Sequence, residues 1–113
     1  MKEEVDFSVT GRTLTAKIKC EIDHHTARRM RDKIDEQLYA NKPELLVLDF
    51  PEVRFMDSSG LGLILGRLAV CRQFSCTLRI TNAGERMLKI FHMAGLWRMR
   101  DLQIDGIDKE ERK

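Results

Sequence analysis

No apolar stretch in this sequence approaches the ~20 residues needed to cross a bilayer. The longest are Leu45–Leu48 and Leu61–Leu65, the second broken by Gly62. No contact with a membrane is expected, and Met1–Asp6 lacks the apolar core of a secretory signal. Charge of one sign is also lacking: 20 basic against 18 acidic residues leave +2. A nucleic-acid binder usually gathers a basic excess on one face. Here the densest basic run, Arg28, Arg29, Arg31 and Lys33, is interleaved with Asp32, Asp35 and Glu36. Arg28 with Asp32 and Arg31 with Asp35 stand at helical i,i+4 spacing, so this run reads as a solvated, salt-bridged face. Cys20, Cys71 and Cys76 are odd in number and have no CxxC spacing. They read as small buried hydrophobes of an intracellular, reduced chain rather than as ligands or disulfides. His24, His25 and His92 form no HExxH pattern, so no metal is expected.

What is present is the balance of a folded domain: 113 residues, 42% hydrophobic and 34% charged. One domain over residues 1–105 is expected, with a charged, frayed tail over 106–113. Val5–Thr10 and Leu14–Ile18 alternate apolar and polar residues around Gly11-Arg12, the pattern of a β-hairpin. Asp23 is placed to cap a helix starting at His24, and Ala27, Met30, Ile34 and Leu38 give that helix one apolar stripe. Asn41 and Pro43 end it. Leu45–Leu48 reads as a central strand covered on both faces. A second helix from about Ser59 to Phe74 is expected to turn Leu61, Ile64, Leu65 and Leu68 inward, with Leu63 and Val70 toward another face. Cys76–Ile80 reads as a strand. Asn82 with Glu85 resembles a capping box for a helix to Ala94, with Gly95 just past its end. Leu102 and Ile104 suggest an edge strand. The order β-β-α-β-α-β-α-β implies an α/β fold, a mixed sheet with an antiparallel opening hairpin and parallel strands after it, packed with helices.

The segment Phe55–Arg67, FMDSSGLGLILGR, is the most unusual. Gly60, Gly62 and Gly66 miss the dinucleotide spacing, and no GK[ST] follows, so the phosphate-cradling lysine of a P-loop is absent. Asp57-Ser58-Ser59-Gly60 lacks the leading glycine of a nucleophile elbow, and His92 is surrounded by packing residues rather than poised as a base. A regulatory phosphoserine is the third reading. Ser58 or Ser59 at the N-cap of the second helix would carry a phosphate beside unpaired N–H groups and the positive helix end. Plain capping is the simpler local explanation of the same residues. Gly60 and Gly62 weaken the helix start by roughly 1 kcal/mol each against alanine. They allow close approach of another backbone, and the neighbouring apolar residues read either as a docking patch or as a helix buried on two sides.

From about residue 3 to 105 the chain resembles the STAS domain, and within that family the sporulation anti-sigma factor antagonists. Three segments carry the resemblance: Glu21–Ala27, Phe55–Arg67 and Phe91–Leu96. Asp-Ser-Ser-Gly marks the wider family, while His24-His25-Thr26 and the run to Arg67 narrow it. The resemblance implies a STAS-type fold and a partner-switching protein without catalysis of its own and without a cofactor. Its implied partner is an anti-sigma factor that is also a serine kinase; the unphosphorylated protein binds it and releases a sporulation sigma factor. The implied phosphorylation site is Ser58, restored by a dedicated serine phosphatase. Asp23, Met56, Asp57, Ser59, Gly60 and Leu61 are the implied partner-binding residues. A cytoplasmic monomer is expected. A STAS-type scaffold with other partners, in stress signalling or ligand sensing, is the alternative. The chain departs from the family at Cys20, where glycine is usual, which bears on the path of the loop carrying Asp23.

Overall fold

The structure is a computed structural model that describes residues 4–107. β1 (Val5–Thr10) and β2 (Thr13–Ile18) form the expected hairpin, with Thr10 opposite Thr13. The two-residue turn needs a positive φ, and Gly11 supplies it at +59°. α1 (His24–Asn41) follows, then β3 (Leu45–Asp49), α2 (Ser58–Gln73), β4 (Thr77–Thr81), α3 (Glu85–Met93), a 3-10 turn (Leu96–Arg98) and β5 (Leu102–Ile104). The sheet order is β1-β2-β3-β4-β5, antiparallel at the first pair and parallel at the rest. This is the mixed α/β architecture read from the sequence.

Every parallel crossover advances in the same direction across the sheet. The right-handed rule then puts all three helices on one face. Burial follows this rule. Leu14, Ala16 and Ile18, Leu46 and Leu48, Leu78 and Ile80, and Leu102 and Ile104 alternate inward and are buried. Their neighbours Thr15, Val47 and Arg79 lie side by side on the other face and are only partly covered. The expectation that Leu45–Leu48 is covered on both faces is thus corrected: Leu45 and Val47 are half-exposed. An apolar run signals two-sided burial only where crossovers put helices on both faces, and here they do not.

α1 buries the four residues of its predicted stripe, Ala27, Met30, Ile34 and Leu38. α2 corrects its own. The buried line is Gly60, Leu63, Ile64, Arg67, Leu68 and Cys71, while Leu65 is 39% exposed and Leu61 half-buried. The helix is turned toward α1 as well as toward the sheet, and Arg67 faces Asp35 of α1 at 2.7 Å. The expected Arg28–Asp32 and Arg31–Asp35 pairs give way accordingly: Arg31 pairs with its neighbour Asp32 at 3.1 Å, and Asp35 is taken by Arg67.

At α3 the expected Asn82–Glu85 capping box is not formed. The N-cap is Gly84, and Asn82, at φ +57°, donates instead to the Asp49 carboxylate at 2.7 Å. Gly95 ends that helix at φ +78° as expected. His92 is exposed rather than packed, and its ring stacks on Trp97 at 5.5 Å. Cys71 and Cys76 are buried and Cys20 half-buried, all three as free thiols. Of the tail expected from residue 106, Ile107 is half-buried against the core; residues 108–113 lie outside the described residues.

Candidate functional site

Two loops converge where α1 and α2 begin. Ile22 and Met56 form a parallel β-bridge, and each immediately precedes an aspartate that caps the next helix. The Glu21 carboxylate fastens the second loop to the first, accepting from the backbone N–H of Arg54 and of Phe55, both at 3.0 Å. Buried Ile22 and Met56 anchor the pair to the core, so the two helix starts are presented together on a fixed base. Cys20 requires no special backbone here: among the described residues, the non-glycine positions with positive φ are Lys42, Ser75, Asn82 and Asp101.

At α1 the start is closed on itself. Asp23 Oδ1 accepts from the N–H groups of His25 and Thr26, each at 2.9 Å, and the Asp23 N–H donates back to Thr26 Oγ1 at 2.8 Å. The Thr26 hydroxyl also donates to the Glu21 carbonyl at 3.0 Å. The backbone N–H of Thr26, with further help from its hydroxyl and from His25, holds the Asp23 carboxyl below the usual carboxylate range. Asp23 is exposed, and the bonds to its carboxylate all run to Oδ1; Oδ2 has no hydrogen-bond partner among the described residues.

At α2 the start is only half closed. Asp57 is the N-cap and accepts from the Ser59 N–H at 2.8 Å. Neither serine is the cap, which corrects the capping role read from the sequence for Ser58 or Ser59. Asp, Ser and Ser in succession are all good capping residues, and local preference does not choose among them. Ser58 is therefore the first helical residue. Its side chain is exposed, and its hydroxyl has no hydrogen bond among the described residues.

Gly60 stands at the position Thr26 holds in α1. It is buried, and a Cβ there would come within 2.7 Å of Met56 Cβ and 2.8 Å of Cγ, and against Sδ as well. The methionine fills the space a side chain would need. Of the residues singled out in the sequence, Asp23, Asp57 and Ser58 are exposed, Ser59 and Leu61 are partly covered, and Met56 and Gly60 are buried beneath them. Phe55, 52% exposed, adds an apolar ring beside Asp57. Among the described residues no cluster of histidine, cysteine or carboxylate side chains could hold a metal ion.

The family model for the STAS domain matches residues 4–104. The chain belongs to the STAS domain family. It is 33% identical to the anti-sigma F factor antagonist of Paenibacillus polymyxa, over 96% of this chain and 92% of that one. It is 30% identical to the anti-sigma F factor antagonist of Lysinibacillus sphaericus, over 89% and 88%. The anti-sigma-B factor antagonist of Bacillus subtilis is 28% identical over 85% of this chain and 86% of that one. Among solved structures, the unphosphorylated form of the anti-sigma factor antagonist SpoIIAA superposes with a TM-score of 0.75, at 26% identity over 96% of this chain and 91% of that one. The phosphorylated form of SpoIIAA from Bacillus superposes at 0.69, with 28% identity over 96% and 95%.

In this STAS domain, sequence reasoning missed Glu21 and Phe55. Glu21 acts on backbone groups 33 and 34 positions away, a pairing without a local signal. Phe55 looks like any core aromatic until the loop's path is known. No helix among the described residues is long and apolar enough to cross a membrane.

Proposed function

We propose that this STAS domain is an anti-sigma factor antagonist switched by phosphorylation of Ser58. Unphosphorylated, it binds an anti-sigma factor that is also an ATP-dependent serine kinase, and so releases a sporulation sigma factor. The kinase modifies Ser58, binding is blocked, and a serine phosphatase restores the hydroxyl. The protein catalyses nothing itself and takes no cofactor. It acts as a cytoplasmic monomer through residues 1–105, without engaging nucleic acid or membrane. Asp23, Asp57, Ser59 and Leu61 belong to the partner-binding surface, with Met56 and Gly60 as the packing beneath it.

One observation carries this reading. Ser58 is an exposed first-turn serine whose hydroxyl is not used as a cap, because Asp57 does that work. A phosphate there would add about −1.5 to −2 charges beside first-turn N–H groups and the positive helix end, so the fold would accept it. An interface would not. Burying an ion costs several kcal/mol unless it is repaid, and about 4 kcal/mol unrepaid weakens a complex roughly a thousandfold. Exposed Asp57 beside it adds like charge. The two anti-sigma F factor antagonists at 33% and 30% identity support the reading, as does a relative solved in both phosphorylation states.

The test is phosphosite mapping after the purified chain is incubated with ATP and lysate of its sporulating source cell. Phosphate on Ser58 alone is the expected result. An unmodified chain, with the kinase active on a control substrate, would favour the second reading, a STAS signalling scaffold with other partners. The 28% identity to an anti-sigma-B factor antagonist keeps that reading in view.

A further inference from the structure

Beside the same helix start, a cleft of about 320 Å³ runs between α1 and α2. Arg28 and Arg31 line its α1 wall; Gly62, Gly66 and Arg67 line the α2 wall, with Ser59 toward the end nearest Ser58. No carboxylate is among the lining residues. Arg28 has no ion pair among the described residues, and Arg31 pairs with Asp32 at 3.1 Å while also acting on the Asp35 carboxylate. Arg67 is 5% exposed. Its Nε lies 2.7 Å from Asp35 Oδ1, close in distance yet misaligned as a hydrogen bond. Its terminal nitrogens have no hydrogen-bond partner among the described residues. Burial lowers the pKa of this guanidinium, partly offset by Asp35, and raises that of the Asp35 carboxyl, partly offset by Arg67. At Gly62 and Gly66, one turn apart, an added Cβ would meet open space. Ala27 and Leu63 also line the cleft, and at the two glycines the α2 wall is bare backbone.

We propose that this cleft receives an acidic segment of the protein partner, whose carboxylates pair with Arg28, Arg31 and the terminal nitrogens of Arg67. Charge complementarity selects the chemistry. Arg28 and Arg31 stand three residues apart on α1 and Arg67 on the facing wall of α2, a placement that suits an extended segment with several carboxylates. The two glycines let a chain lie close to α2. Continuity with Ser59 joins the cleft to the proposed switch, so a phosphate on Ser58 would also weaken the positive field that attracts the segment. The identity of the partner rests on the antagonist reading; the charge complement does not.

The first experiment titrates hexaglutamate into the full chain and follows backbone amide chemical shifts. Shifts confined to residues 27–31 and 59–67, falling as salt is raised, are expected. Arg28→Glu should weaken binding tenfold or more. Gly66→Leu should do the same by filling the cleft, with no loss of thermal stability, since leucine is the better helix former. Absence of shifts, or equal affinity of either variant, overturns the cleft. Inorganic phosphate binding at the same residues as tightly as the peptide overturns the acidic segment in favour of a small anion.

The second experiment measures binding to an anti-sigma factor of the source organism. If the wild type and both cleft variants bind alike while Ser58→Asp does not, the cleft is wrong and the antagonist reading stands. If the wild type binds none, the antagonist reading fails, and the peptide titration still decides the cleft.

Discussion

α1 and α2 begin in the same way and end their first turns differently. Each follows a bridged apolar residue, Ile22 or Met56, and each is capped by an aspartate, Asp23 or Asp57. The third helical residue separates them. In α1 it is Thr26, whose hydroxyl returns the hydrogen bond and completes a capping box. In α2 it is Gly60, which has no side chain to return and lies against Met56. One helix start is sealed by its own residues; the other is held from below and left chemically open above. The proposed modification needs a rigid floor and an unengaged hydroxyl, and the second start has both.

The largest effect is expected from making α2 resemble α1. Gly60→Thr would supply the missing hydroxyl, yet it should destabilise the fold by about 1–3 kcal/mol, as overpacking does. Urea unfolding would measure the loss, and Gly60→Thr combined with Met56→Ala should recover part of it. A gain in stability from Gly60→Thr alone would mean that Met56 yields freely and that the glycine is not there for packing.

A smaller effect is expected from the caps. Asp57→Ala should cost about 1 kcal/mol, the usual consequence of deleting an N-cap. Asp23→Ala should cost more, because its carboxylate accepts two backbone N–H bonds rather than one. Thermal unfolding of the two variants side by side checks the order. Equal losses would show that the capping box adds nothing.

The smallest effect separates the two helix starts by pH. The folded-state pKa of Asp23 lies below its unfolded value. Its contribution to stability is therefore present above the unfolded pKa, near 3.9, and lost as pH falls through the folded one. Asp23→Asn keeps a capping side chain without the titration. The stability difference between wild type and this variant should narrow as pH is lowered from 6 toward about 2. A difference independent of pH would contradict the role given to the capping bonds.

Much of this architecture is written locally. The α1 stripe, the Asp23 cap, the Gly11 turn and the Gly95 helix end each depend on residues within a few positions of one another, and each is where the pattern put it. What the pattern missed depends on distant partners. The half-exposure of Leu45 and Val47 follows from the direction in which the crossovers run, which no single strand records. The place of Arg67 in the buried line of α2 follows from Asp35 on another helix. The site divides in the same way. Asp-Ser-Ser-Gly draws attention to the α2 start, but that Asp57 rather than serine caps it comes from how the Ile22–Met56 bridge and Glu21 set the loop. The hydroxyl of Ser58 is free for that reason.

The most direct test compares unphosphorylated and stoichiometrically Ser58-phosphorylated chain in calorimetric titrations with an anti-sigma factor of the source organism, with circular dichroism recorded on both. Affinity roughly a thousandfold weaker for the phosphorylated form, with unchanged secondary structure, is the predicted result. Equal affinity of the two forms, or unfolding of the phosphorylated one, would contradict a local switch at the start of α2.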